Sequence, residues 1–101
     1  MKIGAHVDQE DPIAEATARD ADLAQFFLGD PQGWKGPEVR AGADPLRSAQ
    51  IDLYVHSPYV INVATTNNRI RIPSRKLLAQ NADAAAGVNA KALIVHGGHV
   101  L

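Results

Sequence analysis

The chain has 101 residues, 46% hydrophobic and 21% charged, with a formal net charge of −1; this suits one small globular domain and excludes a global basic field, so any nucleic-acid contact needs a local patch. Cysteine is absent, which excludes disulfides and thiolate metal sites and leaves nitrogen and oxygen ligands for any metal. No apolar run approaches a membrane span and the N-terminus lacks the apolar stretch of a secretion signal, so a cytoplasmic protein with no membrane contact is expected.

Residues 2–7 read as a first strand, with Ile3, Ala5 and Val7 on one face and Gly4 and His6 on the other. Asp11 before Pro12 is a good N-cap with proline at the first helical position. A helix follows to about Arg19, with Ile13, Ala16 and Thr17 turned inward. Leu23 to Leu28 is the second strand. The Gly- and Pro-rich stretch 29–37 is a loop and holds the single tryptophan, Trp34. Residues 38–49 predict a short, irregular helix, because Pro45 prevents a long one.

Ile51 to Val55 is the third strand, with Tyr54 and His56 on one face. A long loop runs from Ser57 to about Arg71. Pro73 starts a helix to about Val88, with Leu78, Ala82 and Ala85 as its buried stripe. Asn89 suits the left-handed residue after a helix end, and 91–96 form the fourth strand. Strands alternating with helices imply parallel pairing and right-handed crossovers. The chain stops at Leu101 with no helix to cover that strand, an odd place for a domain to end. The expected fold class is α/β, with about four parallel strands and crossover helices, residues 1–101 forming one partial domain.

The strands at 2–7 and 91–96 finish on His6 and His96, and His56 follows the strand at 51–55. In a parallel barrel the C-terminal strand ends form the active-site face. His56 and His96 on neighbouring strand ends can converge on one zinc; the competing reading is a pair of buried, hydrogen-bonded histidines. His6 could serve behind such a site or contact a phosphate, and His99 could support the site or be an exposed loop residue. Trp34, followed by Lys35, suits stacking on a base or sugar, or a packing plug over the barrel rim. Tyr59 and Val60 could form a wedge for a DNA stack, or pack on their own protein. Arg69, Arg71, Arg75 and Lys76 could grip phosphates, or be a solvated helix face.

Ile3-Gly4-Ala5-His6-Val7, Phe27-Leu28-Gly29-Asp30-Pro31-Gln32-Gly33-Trp34, Val55-His56-Ser57-Pro58-Tyr59-Val60-Ile61-Asn62 and Val95-His96-Gly97-Gly98-His99 occur in this order. Together they resemble the N-terminal part of the endonuclease IV family of apurinic/apyrimidinic (AP) endonucleases, the deoxyribonucleases IV, and most of all its actinobacterial branch. The resemblance implies that the chain is the N-terminal half of a (β/α)8 TIM barrel, an eight-stranded barrel with three zinc ions at its C-terminal face. It implies hydrolysis of the phosphodiester 5′ to an abasic site in base excision repair. His56 and His96 match two histidine ligands of one zinc, and no catalytic residue separate from the metal ligands is expected. The other ligands lie further along the family's chain. Tyr59 and Val60 match the pair that enters the DNA, Asn62 the asparagine closing that motif, and Trp34 the loop tryptophan; the resemblance counts all four, with Gln32, as DNA-binding residues. Gln32 stands where many members place an arginine that penetrates the duplex. His96-Gly97-Gly98-His99 is one residue shorter than the family's common turn.

The resemblance thus predicts a zinc-dependent nuclease acting on double-stranded DNA with abasic sites, here as an N-terminal fragment that is inactive alone. Family members are usually monomeric; a fragment could associate through open sheet edges. Two alternatives remain: a sugar isomerase or epimerase on a related barrel, and an inert half-barrel that needs a partner chain.

Overall fold

A computed structural model describes residues 1–38 and 43–100. Its elements alternate: β1 (Gly4–His6), α1 (Pro12–Ala18), β2 (Leu23–Phe26), α2 (Ala43–Arg47), β3 (Asp52–His56), α3 (Asn68–Gly87) and β4 (Ala92–Ile94). The four strands form one sheet in the order β1-β2-β3-β4. Every neighbouring pair is parallel, with His6 opposite Gln25, Phe26 opposite Val55 and His56 opposite Ile94. This is the consecutive parallel βα arrangement of a (β/α)8 barrel, as expected from the alternation of elements.

The two faces of the sheet differ because strand residues alternate in direction. Ala24, Phe26, Leu53 and Val55 are buried together with Ala16, Ala85 and Val88 from α1 and the end of α3. The opposite set, His6, Gln25, Tyr54 and His56, is polar or amphipathic. Gly4 belongs to it for a steric reason: a Cβ there would lie 2.6 Å from the Leu23 carbonyl oxygen and closer still to that leucine's side chain. The apolar layer glues helices to sheet, and the polar layer is free to do chemistry at the strand ends.

Local signals set the helix ends. Asp11 caps α1 by accepting from the Ala14 N–H at 3.1 Å, with proline in the first turn. Asn89 takes φ 60 after α3, the left-handed conformation expected there. Other expectations need correction. Thr17 is exposed, and its hydroxyl donates to the Ile13 carbonyl. Of the helix expected over 38–49, Ala43–Arg47 is seen; residues 39–42 lie outside the described residues. β1, β2 and β4 are shorter than expected, so His96 lies two residues past the end of β4, while β3 keeps its length one residue further on and takes in His56.

The largest correction concerns α3. It starts at Asn68, capped by the Asn67 side chain, which accepts from the Arg69 N–H at 3.0 Å; Pro73 lies inside it. Its buried stripe is Ser74, Leu77, Asn81 and Ala85; of the expected Leu78, Ala82 and Ala85, only Ala85 belongs to it. Two polar residues hold buried places because each has a partner. Ser74 Oγ accepts from the Asn62 N–H, and Asn81 Nδ2 donates to the Leu77 carbonyl. A stripe sought among apolar residues alone is therefore displaced by one position.

Candidate functional site

The strand order brings His6, His56 and His96 to the same end of the sheet. His56 is the last residue of β3 and is 7% exposed. Its Nδ1 lies 2.6 Å from the Ser57 carbonyl oxygen. A carbonyl only accepts, so Nδ1 carries the proton and the neutral ring presents a bare lone pair at Nε2. That lone pair points to His96: the two Nε2 atoms are 3.2 Å apart. His6 has the opposite tautomer. The Gln25 side-chain amide donates to its Nδ1 at 3.0 Å, leaving Nε2–H as a donor. Partial burial, and after it the neighbouring His56, hold the His6 imidazole below its usual pKa.

Aromatic rings frame the pair. Phe27 lies with its centroid 5.0 Å from both His6 and His56. Tyr59 stands 5.4 Å from His56 and 5.8 Å from His96, and 55% of its surface is open to solvent. Its N–H donates to the Pro31 carbonyl at 2.7 Å, so the loop after β3 is tied to the loop after β2. The ring also meets Phe27 at 5.2 Å, so its inner side packs on the histidine face while its outer side stays open. Val60 is half-buried next to it.

The other candidates are more scattered. Gln32 is exposed in a tight turn, where its N–H donates to Asp30 Oδ1. Trp34 is 45% exposed and lines a groove against α3 with Ile72, Pro73, Lys76, Leu77 and Gln80. Asn62 is buried and bonded within the protein. His99 is exposed, with its backbone N–H on Asn62 Oδ1 at 3.1 Å. Two contributors escape a reading of residue types. Phe27 continues the alternation of Leu23 and Gln25 onto the histidine face, a signal present in the sequence. The Ser57 carbonyl is backbone, and residue identity gives no sign of it.

Whether these residues suit a metal can be judged from the nitrogens. Two ligands of one tetrahedral zinc, each at about 2.0–2.1 Å, lie roughly 3.3 Å apart. The separation of 3.2 Å between the imidazole Nε2 atoms matches that. A ligating histidine also usually donates its second nitrogen to a carbonyl or carboxylate, as His56 does. The pair therefore fits a zinc-type cation as two of its ligands, and the same separation is that of an N–H···N hydrogen bond between the two rings. Among the described residues, no group of three or more His, Cys, Asp or Glu residues could hold a metal.

No family model matches the chain, but known proteins do. A protein of Mycobacterium marinum named "Probable endonuclease 4" is 55% identical over 100 residues, 99% of this chain. One of Mycobacterium leprae with the same name is 54% identical over the same length. Over nearly its whole length the chain matches proteins named endonuclease 4. It spans 40% of the length of these curated relatives. The crystal structure of endonuclease IV from Thermus thermophilus superposes with a TM-score of 0.88 at 21% identity, covering 100% of this chain and 42% of that one. That likeness speaks for the fold, and it assigns the four strands to the N-terminal part of the family's barrel. Among the described residues no helix is long and apolar enough to cross a membrane.

Proposed function

We propose that the chain is the N-terminal part of a zinc-dependent DNA-repair endonuclease that cuts beside abasic sites. The observation that carries this reading is the pair of Nε2 atoms 3.2 Å apart with a largely exposed tyrosine against them. His56 and His96 would hold one metal ion through Nε2. Zinc, when bound, polarises the phosphate and supplies a water of lowered pKa. The chain's own residues do the rest. The Ser57 carbonyl keeps the His56 proton on Nδ1, away from the ligand atom. Tyr59, with Val60 beside it, presses into the base stack where a missing base has already broken it. His6 offers a neutral N–H donor on the same face, suited to a phosphate oxygen.

The named relatives favour this reading over the sugar isomerase or epimerase alternative, and a small sugar gives an exposed tyrosine wedge nothing to enter. Duplex DNA containing an abasic site is the proposed partner, and zinc the proposed metal. The test is a calorimetric zinc titration of the chain and of its His56→Ala and His96→Ala variants. The reading expects one binding event, weakened at least about ten-fold in either variant, since even an outer partner of a ligand is worth 10- to 100-fold. Equal affinity in all three proteins would remove His56 and His96 from the metal.

A further inference from the structure

Asn62 is the point where the loop after β3 meets the loop after β4. Its side chain is buried, 8% exposed. Oδ1 accepts from the N–H groups of Ala64 and Thr65, at 3.2 Å each, and of His99 at 3.1 Å. Nδ2 lies 3.5 Å from His99 Nδ1. The backbone N–H of Asn62 donates to Ser74 Oγ of α3 at 2.9 Å. Gly98 closes the arrangement: it has φ +81, and a Cβ there would lie 2.4 Å from Asn62 Oδ1. Only a glycine fits this approach at that backbone angle.

We propose that Asn62 is a positioning residue that joins the loop carrying Tyr59 and the loop carrying His96 into one body. Beyond Ile94 the chain leaves the sheet, so no strand pairing holds His96. The loop is pinned at both ends from the β3 side instead. The Ser57 N–H donates to the Ile94 carbonyl at 2.9 Å, and the His99 N–H donates to Asn62. His96 lies between these two anchors. Three donors on one buried amide oxygen lose their shared acceptor if the oxygen is removed, at the greatest cost for Thr65, which is buried. The wedge and the second imidazole thus keep a fixed relation, which matters for catalysis on the proposed function, although the clamp can be tested without metal or DNA.

Amide hydrogen exchange, read by NMR on the whole chain, provides that test. In Asn62→Ala, exchange at Ala64, Thr65 and His99 should quicken at least about ten-fold while β2 and β3 amides keep their rates, because local opening is separable from global unfolding. Asn62→Asp retains an acceptor oxygen and should restore protection at all three. Gly98→Ala attacks the clamp from the other loop and should also release Thr65, more than thirty residues away in sequence. If Asn62→Ala unfolds the sheet, Gly98→Ala decides alone. Unchanged Thr65 in Gly98→Ala, or unchanged His99 in a folded Asn62→Ala, would reduce Asn62 to a local turn and overturn the proposal. A chain that passes this test yet binds no zinc keeps the clamp and loses the proposed function.

Discussion

At the scale of single residues, the tautomer of His56 follows from one backbone carbonyl. Ser57 fixes Nδ1–H, and the lone pair on Nε2 is left for His96 or for a cation. Residue type and strand position pointed to His56 and His96; the tautomer could not be read, because it depends on backbone placed by the fold. Asn62 illustrates the opposite case. The family resemblance sets it in a motif that meets DNA, and the structure adds that its side chain is bonded to three backbone amides, which the motif does not reveal. Tyr59 carries the residue-scale prediction, which concerns a protein with the complete family barrel. There Tyr59→Ala should weaken binding to an abasic duplex more than to an intact one, because the wedge is rewarded where stacking is already lost. Stacking of a side chain on a base is worth about 1–3 kcal/mol, which corresponds to roughly ten-fold to a hundred-fold in affinity. Fluorescence anisotropy on the two duplexes measures it, and equal losses on both would make the tyrosine structural.

At the scale of elements, the strand and helix order was legible because periodicity changes sharply between them. Parallel pairing followed from the alternation, and the caps Asp11 and Asn89 were visible as residue types. The register of α3 was not. Ser74 and Asn81 are polar yet buried, so an apolar-only search passed over them and took Leu78 for Leu77. The start was missed as well, since Pro73 is tolerated within the helix and so did not mark its beginning. The two leucines test the corrected register directly. Leu77, 1% exposed, should cost about 2–5 kcal/mol when cut to alanine. Leu78 is only half-buried and should cost clearly less, under about 1.5 kcal/mol. Urea unfolding of both variants gives the comparison; a larger loss at Leu78 would put the helix in the register first expected.

At the scale of the whole molecule, the four strands form an open sheet whose edges are β1 and β4. Each edge exposes unpaired backbone groups that invite association. A catalytic zinc normally has three protein ligands and an open place for water, and the imidazole pair supplies two. We therefore predict that these 101 residues alone do not incise an abasic duplex in the presence of zinc; chelator-sensitive incision by the purified monomer would be the opposite result. The proposed metal site rests on a narrower point: His56 and His96 would present Nε2 to a shared cation. Long-range proton–nitrogen NMR of the histidine rings, before and after one equivalent of zinc, tests it most directly. Before zinc, His56 should show its proton on Nδ1. With zinc, the Nε2 resonances of His56 and His96 should move together while His6 keeps its Nε2–H signature. Movement at Nδ1 of His56, or a response from His99 with none from His56 and His96, would contradict it.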